Sequence, residues 1–302
     1  MNQGQKANAG SARPDRIRFR LSGVTHPYDT RTNAIRPDLA DLALAETHFA
    51  PHYAAAVPLV CVVDHATLHA EPDALTSATS ELLFGESFHV LDVRAEWAWG
   101  YCSHDHYVGY LRRDALGLPT APTHRTRHAA PVFAAADIKA PLQRVLAMGS
   151  LVAGTVDGQF LAIAGGYIHN RHVASVWQNE SDWVAVAERY IGQPYVWGGR
   201  GSRGVDCSGL VQMALSACGI PCPRDSDQQA AALGAPIPED ERLQRGDVIF
   251  FPGHVGMMVD EARLLHANAH WMSTVIEPLA DVVARLSASH DTPIVAQRRI
   301  TP

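Results

Sequence analysis

The fold is decided by the stretch "GVDCSGLVQMALSACGI", residues 204–220. Its apolar residues recur at helical spacing, and the pattern stops at Gly219, a residue type that commonly terminates helices. Asp206 stands where an N-cap is expected, so the helix is predicted to begin at Cys207. The predicted core-facing side consists of Leu210, Val211, Ala214, Leu215 and Cys218.

Cys207 has two interpretations. Free cysteines are mostly small buried apolar residues, and Cys218, deep in the apolar face, is interpreted as one of these. At a helix start, however, the positive end of the helix dipole stabilises a thiolate, so we expect a lowered pKa for Cys207. The backbone N–H groups there could also stabilise an oxyanion. A nucleophilic thiol additionally needs a base, and the base needs a partner that orients it.

Two histidines in the C-terminal part of the chain offer such a pair. His254 begins "HVGMMV" and His266 ends "RLLH". A hairpin that turns at "DEA", centred near Asp260, would place them directly opposite each other, with Cβ atoms within about 5.5 Å. One imidazole could then hold the other in a fixed tautomer. The alternative is two histidines on a solvated strand face.

Composition and charge exclude several classes of partner. The 302 residues carry 31 acidic and 25 basic side chains, for a formal net charge of −6. This balance argues against binding of nucleic acid or of an anionic membrane, which requires clustered basic residues. The longest apolar run, residues 54–63, is interrupted by Pro58 and is too short to span a bilayer. The N-terminus lacks the apolar segment of a secretory signal, so we expect a cytoplasmic protein.

The cysteines and histidines do not predict a disulfide framework or a metal site. An odd number of cysteines in a chain of this length suits reduced thiols. The closest approach to a metal motif is "HDH" at 104–106. We interpret it as a solvated loop because no further Cys/His pair has ligand spacing. No metal and no cofactor are therefore predicted. The cysteines are Cys61, Cys102, Cys207, Cys218 and Cys222.

The chain is predicted to divide into four parts. Residues 1–57 form a leader, disordered over 1–15, and a helical segment at 36–49. Two small barrel-like β modules follow at 58–118 and 119–176. "VGYLRRDAL" aligns with "GGYIHNRHV", which sets Gly109 on Gly166, and a second alignment sets Gly85 on Gly149, so the two modules are interpreted as copies.

Residues 177–302 are predicted to form an α+β domain. "ESDWVAVAERYIG", residues 180–192, has Ser181 as its expected cap and Gly192 as its stop. A further helix is expected around "DSDQQAAALG", and the pattern after residue 245 is that of strands. Helices followed by an antiparallel sheet are typical of an α+β layout.

Taken together, these motifs resemble the NlpC/P60 cysteine peptidases. The resemblance rests on "YVWGG", "DCSGLV", "GDVIFFPGHVGMMV" and "LLHA", which occur in the family's order over about residues 178–302. It implies a papain-like fold, a catalytic triad of Cys207, His254 and His266, and hydrolysis of peptide bonds in cell-wall stem peptides. The two β modules look like bacterial SH3 domains, and "GQFLAIAGGYIHNRHV" in the second favours a structural spacer there.

This domain order resembles the γ-D-glutamyl-L-diamino acid endopeptidases, which cut peptides that begin with a free L-Ala. A recycling role on imported peptides is implied. Recognition of a free amine asks for buried carboxylates and hydroxyls. Glu81 is favoured over Glu86, and Tyr107 over Tyr110. The candidate substrate-binding residues are Asp206, Ser208, Asp225, Glu81, Tyr107, Tyr195 and Trp197.

Three alternatives remain open from the sequence. The first is structural: the sequence fits a plain helix cap at Asp206, and ordinary half-buried β-surface residues at Glu81 and Tyr107, equally well. The same catalytic residues could serve an amidase or an acyltransferase, since a fold does not fix its substrate. A non-catalytic protein that binds peptidoglycan fragments is the third alternative. The predicted partner is a peptidoglycan stem peptide bound by a monomer, with the preferred diamino acid unassigned.

Overall fold

The computed structural model describes residues 27–201, 203–238 and 240–301. The predicted leader at 1–15 lies outside these residues. The prediction of a helix at 36–49 is wrong. This stretch contains β1 (Ala40–Asp41) and a 3₁₀ turn at Leu42–Leu44. The next strand, β2 (Tyr53–Ala54), pairs with β1 in parallel. Leu42 remains largely exposed, so the apolar residues of this segment do not build a helical face.

The first β module is a seven-stranded antiparallel sheet in the order β5-β4-β8-β7-β6-β3-β9. Leu68, Leu82, Phe88 and Leu111 are fully buried in its core. A 3₁₀ turn at Arg113–Ala115 links its last two strands. The strands are β3 (Val57–Cys61), β4 (His65–His69), β5 (Ala78–Leu83), β6 (Ser87–Arg94), β7 (Trp97–Cys102), β8 (Val108–Arg112) and β9 (Leu116–Gly117).

The second β module contains a three-stranded sheet, β13-β10-β17, and a five-stranded sheet, β12-β11-β16-β15-β14. Leu146, Leu161 and Ile168 are buried in its core. The strands are β10 (His124–Thr126), β11 (Ala130–Phe133), β12 (Leu142–Leu146), β13 (Leu151–Val152), β14 (Gly154–Asp157), β15 (Phe160–Ile163), β16 (Gly166–His169) and β17 (Val173–Ser175).

The two modules share local features that the sequence alignment had paired. In each, a strand, a 3₁₀ turn and a short strand follow one another; the second module's turn is Asn170–His172. Gly85 and Gly149 both have positive φ angles, +79° and +91°, which favour glycine. That the second module is an SH3 domain stays a prediction.

The C-terminal domain packs helices on both sides of a six-stranded antiparallel sheet in the order β20-β25-β21-β22-β23-β24. The helix α2 is buried from Cys207 to Leu215 because one side meets the sheet and the other meets the β modules. The elements are α1 (Trp183–Glu188), β18 (Arg200–Gly201), β19 (Gly204–Val205), α2 (Cys207–Ala217), α3 (Ser226–Ala232), β20 (Ala235–Pro236), β21 (Val248–Phe251), β22 (His254–Met258), β23 (Arg263–Asn268), β24 (Ser273–Pro278), α4 (Leu279–Leu286) and β25 (Ala296–Arg299).

The first helix of this domain is shorter than expected, and its predicted cap is wrong. Asp182, not Ser181, caps α1, because its carboxylate accepts the N–H groups of Val184 and Ala185. Among the described residues, no helix is long and apolar enough to cross a membrane.

Candidate active site

Cys207 is the first residue of α2, and Asp206 caps the helix by accepting the N–H of Gly209 at 2.7 Å. The thiol is buried, and the backbone N–H groups of Val255 and Ser208 hydrogen-bond to it. Burial, followed by the charge of Asp206, nevertheless raises the thiol pKa to about 11. The lowered pKa expected for Cys207 is therefore wrong, because loss of hydration and the charge of Asp206 outweigh the two N–H groups and the charge of Arg224.

His254 and His266 contact each other, but the register differs from the predicted one. Nε2 of His254 lies 2.8 Å from Nδ1 of His266. Pairing of Met257 with Leu265 shifts the hairpin by two residues, so His266 faces Gly256 and meets His254 diagonally. A Cβ atom on Gly256 would lie 3.0 Å from the Cβ of His266. The absence of a side chain there leaves room for the two imidazoles.

Glu277 extends this pair into a chain of three side chains from β22, β23 and β24. Its Oε1 lies 2.8 Å from Nε2 of His266. Burial favours the neutral acid, but hydrogen bonds from Arg285 and other neighbours keep the pKa of Glu277 below its usual value. Glu277 was not predicted. It lies in "STVIEP", residues 273–278, which contains no motif that could have identified it.

The ionised Glu277 fixes the protons of the two imidazoles. A carboxylate can only accept, so Nε2 of His266 carries a proton and Nδ1 accepts. The amide nitrogen of Asn268 also lies 3.0 Å from Nε2, but the ionised carboxylate is the stronger partner. His254 then donates from its Nε2 to His266, and its Nδ1 remains an unprotonated base.

Burial keeps both histidines neutral. Loss of hydration, followed by repulsion from His266 and Arg285, lowers the pKa of His254 to about 3. Burial also lowers the pKa of His266, against the opposing effect of Glu277. These shifts favour a neutral thiol and neutral imidazoles, so an attack by Cys207 would have to be coupled to loss of the thiol proton.

Arg224 organises the residues that flank Cys207. This fully buried arginine donates to both oxygens of Asp206 at 3.0 and 2.6 Å and to Oγ of Ser208 at 2.9 Å. Its Nε donates to Oγ of Ser80 in the first β module. Asp206 is thus both a helix cap and an ion-pair partner. Arg224 was not predicted, although it immediately precedes the candidate Asp225 in "CPRDSDQQ", residues 222–229.

A cavity of about 340 Å³ adjoins the thiol between the first β module and the C-terminal domain. In it, the hydroxyl of Tyr107 donates to the carboxylate of Asp225 at 3.0 and 3.2 Å. Burial raises the pKa of Tyr107, which keeps its phenol a donor. The cavity is lined by Ser77, Ala78, Thr79, Tyr107, Trp197, Asp206, Cys207, Ser208, Arg224, Asp225, Ser226, Asp227 and Gly253.

The remaining candidates lie around this cavity rather than along its wall. Glu81 is buried, and its Oε2 accepts the backbone N–H groups of Arg200 and Gly201. Glu86 pairs with the guanidinium of Arg200. The ring of Tyr195 packs against the core that contains Cys207. Of the seven candidates, the structure therefore brings five to the cavity wall: Tyr107, Trp197, Asp206, Ser208 and Asp225.

The N-terminal segment contacts two residues of the cavity wall. Arg31 donates to Asp225 at 2.8 Å and to Asp227 at 2.8 Å, and it pairs with Asp29. Its carbonyl accepts the N–H of Val108 in the first β module. Sequence reasoning missed Arg31, since an arginine in a segment without a motif gives no signal.

The "HDH" stretch lies in a turn. Potential ligand atoms of Cys102, His104 and Asp105 lie within 4.8 Å of one another. The Asp105 oxygens already accept from the N–H of Tyr107 and from Nε2 of Gln212. Asp105 is thus used as a structural acceptor.

These observations define the class of protein: an α+β domain with a cysteine–histidine site, whose cavity is completed by a β module. Residues 192–285 match the NlpC/P60 family model, and residues 68–116 match the model of the bacterial dipeptidyl-peptidase SH3 domain. The chain therefore contains an NlpC/P60 domain and a bacterial SH3 domain.

Individual relatives agree with this assignment. Dipeptidyl-peptidase 6 of Lysinibacillus sphaericus is 26% identical over 67% of this chain and 84% of its own length. A γ-D-glutamyl-L-lysine dipeptidyl-peptidase of Bacillus subtilis is 33% identical over 34% of this chain and 36% of its own length. A crystal structure of an NlpC/P60 family protein from Bacillus cereus, 18% identical, aligns with a TM-score of 0.69 over 82% of this chain and 100% of that one. It shares the fold.

Proposed function

We propose that the protein is a cysteine endopeptidase that cuts cell-wall stem peptides. The observation that carries the proposal is the shared cavity: Cys207, backed by His254, His266 and Glu277, opens into a space that also holds Tyr107 and Asp225. The names of the relatives, dipeptidyl-peptidase 6 and γ-D-glutamyl-L-lysine dipeptidyl-peptidase, support a peptidase of the cell wall.

In the proposed reaction, Sγ of Cys207 attacks the γ-carbonyl carbon of D-Glu while Nδ1 of His254 accepts the thiol proton. The imidazolium then gives this proton to the leaving amine of the diamino acid, and a thioester remains. Water, deprotonated by His254, hydrolyses the thioester and regenerates the thiol. His266 orients His254, and Glu277 holds the tautomer of His266.

The charges at the far end of the cavity favour a peptide with a free amine. Asp225, Asp227 and Asp206 bring three carboxylates to its wall. Arg31 pairs with the first two and Arg224 with the third, so these five side chains keep one negative charge in excess. Tyr107 stands against Asp225, so the β module limits the length of peptide that fits beyond the scissile bond. An ammonium group of L-Ala would be held by these carboxylates.

The bond specificity is tested with L-Ala-γ-D-Glu-diamino acid peptides, one series carrying meso-diaminopimelate and one carrying lysine. Mass spectrometry of the products identifies the bond that is cut. We expect release of L-Ala-γ-D-Glu, a large drop in kcat/KM on acetylation of the substrate amine, and no turnover by Cys207→Ala. Cys218→Ala is the matched control and should retain activity.

Three results would contradict the proposal. Failure to cut the free peptides, together with cleavage of the muramoyl–L-Ala bond when a muramoyl peptide is supplied instead, would point to an amidase. Binding of the peptides without any turnover would point to a non-catalytic binding protein. Equal cleavage of free and acetylated peptides would exclude the carboxylate end of the cavity as an amine site. Recycling of imported peptides in the cytoplasm by a monomer stays a prediction, which fractionation of cells and light scattering would test.

A further inference from the structure

A second cavity, of about 270 Å³, lies where the two β modules and the C-terminal domain meet. It shares no lining residue with the cavity at Cys207. The two cavities lie at different parts of α2: Cys207 and Ser208 border the first, whereas Met213 and Ser216 border the second. The reaction proposed above uses no residue of this second cavity.

Two arginines of this cavity, Arg127 and Arg189, share a single glutamate, and a third, Arg125, has no acidic partner among the described residues. Nε of Arg127 lies 2.7 Å from Oε1 of Glu180, and Arg189 donates to Oε2 at 2.9 Å. Arg125 donates only to neutral acceptors, namely Oδ1 of Asn179 and the carbonyls of Ser216, Val176 and Gln178. It is partly buried, and burial lowers its pKa. The positive charge at this side of the cavity is thus incompletely neutralised.

A fourth arginine, Arg200, also lines this cavity. Arg200 is 1% exposed and pairs with Glu86. Its Nε is buried and has no hydrogen-bond partner within the described part of the chain. The lining therefore contains four arginines and two glutamates, an excess of positive charge in a protein whose formal net charge is −6. Arg200 is fully buried and the other three arginines are partly buried, so an anion in the cavity would compensate charge that is only partly hydrated.

We propose that this cavity binds a small organic carboxylate. Guanidinium groups present planar pairs of donors that match a carboxylate. Met148, Leu151 and Met213 supply an apolar wall next to the arginines, so an organic anion fits both surfaces better than a bare inorganic ion does. The ligand contacts all three structural parts at once, and its binding stabilises their mutual arrangement.

The test is isothermal titration calorimetry on the full chain with glutarate, its neutral diamide glutaramide, and inorganic phosphate. We expect saturable binding of glutarate with a dissociation constant below about 1 mM, a rise in Tm, and no binding of glutaramide. Because the readout is binding and Tm, the result does not depend on the proposed peptidase activity.

Two variants remove the site in different ways. Arg125→Gln deletes the uncompensated charge, and Ala174→Leu fills the cavity without changing any charge. Each should weaken glutarate binding by about tenfold or more, whereas Arg171→Gln, an exposed arginine of the same module, should not. The proposal is overturned if wild type does not bind glutarate, if it binds glutaramide equally well, if it binds phosphate alone, or if neither folded variant is weakened.

Discussion

Glu277 accepts a hydrogen bond from His266, with Oε1 2.8 Å from Nε2, and Arg285 donates to the same oxygen at 2.6 Å. The carboxylate is two hydrogen bonds away from Nδ1 of His254, yet it determines which nitrogen of each ring carries a proton. The order of partners along β22, β23 and β24 thus leaves Nδ1 of His254 unprotonated, as the proposed reaction requires of its base.

Glu277→Gln should lower kcat by about 10- to 100-fold with little change in KM. An amide at this position can donate to Nε2 of His266 and would stabilise the other tautomer, which leaves His254 without an acceptor for its Nε2 proton. Steady-state kinetics on the free-amine peptide measure the effect. Glu261→Gln, at the exposed hairpin turn, is the control. An unchanged kcat for Glu277→Gln would show that the tautomer is set elsewhere.

Tyr107→Phe should raise KM for free-amine peptides by about tenfold, because it removes a hydrogen bond to the charged carboxylate of Asp225. The same variant should affect an acetylated peptide much less. Tyr110→Phe is a matched control, since the Tyr110 hydroxyl accepts from Arg36 away from the cavity. If both variants behave alike, Tyr107 does not contribute to recognition of the amine.

Arg31→Gln should make KM for free-amine peptides rise more steeply as the pH falls. Burial already raises the pKa of Asp225, and the positive charge of Arg31 is one of the effects that oppose this rise. Without Arg31 the pKa of Asp225 moves further up, so the carboxyl group is protonated at a higher pH and no longer binds an ammonium. When the pH is lowered from about 7 to about 5, we expect KM to rise in both proteins. The rise should be about threefold to tenfold larger in the variant than in wild type.

The matched control for this variant is Arg94→Gln. Arg94 also pairs with residues of the N-terminal segment and the first module, Asp38 and Asp92, but outside the cavity. Identical pH profiles of KM in wild type and Arg31→Gln would show that Arg31 serves only to attach the N-terminal segment.

Alkylation of Cys207 by iodoacetamide should accelerate as the pH rises. With the thiol pKa raised to about 11, the reactive thiolate is a small fraction at neutral pH and grows about tenfold per pH unit up to that value. Peptide mass spectrometry resolves Cys207 from the other thiols, and the unfolded protein supplies the reference profile. A rate that is already constant below pH 7 would instead demonstrate a thiolate–imidazolium pair.

The helical features around Cys207 could be predicted because they are local. Asp206, Gly209 and the apolar face lie within one stretch, and capping and spacing act over a few residues. The contact between His254 and His266 was predicted from an assumed hairpin turn, and the predicted strand register differs from the observed one by two residues. The geometry of the turn sets the register. A shift of two residues leaves each side chain on the same face of the sheet, because side chains alternate between faces with a period of two.

By itself, the sequence determined the helix that begins at Cys207 and the two imidazoles on one face of a sheet, since each depends on neighbours within a few residues or on one hairpin. The tertiary structure alone decided the rest. Glu277, Arg224 and Arg31 meet the site from separate elements, and burial reversed the expected shift in the pKa of Cys207. Desolvation and long-range ion pairs depend on which parts pack together, and no local pattern encodes that.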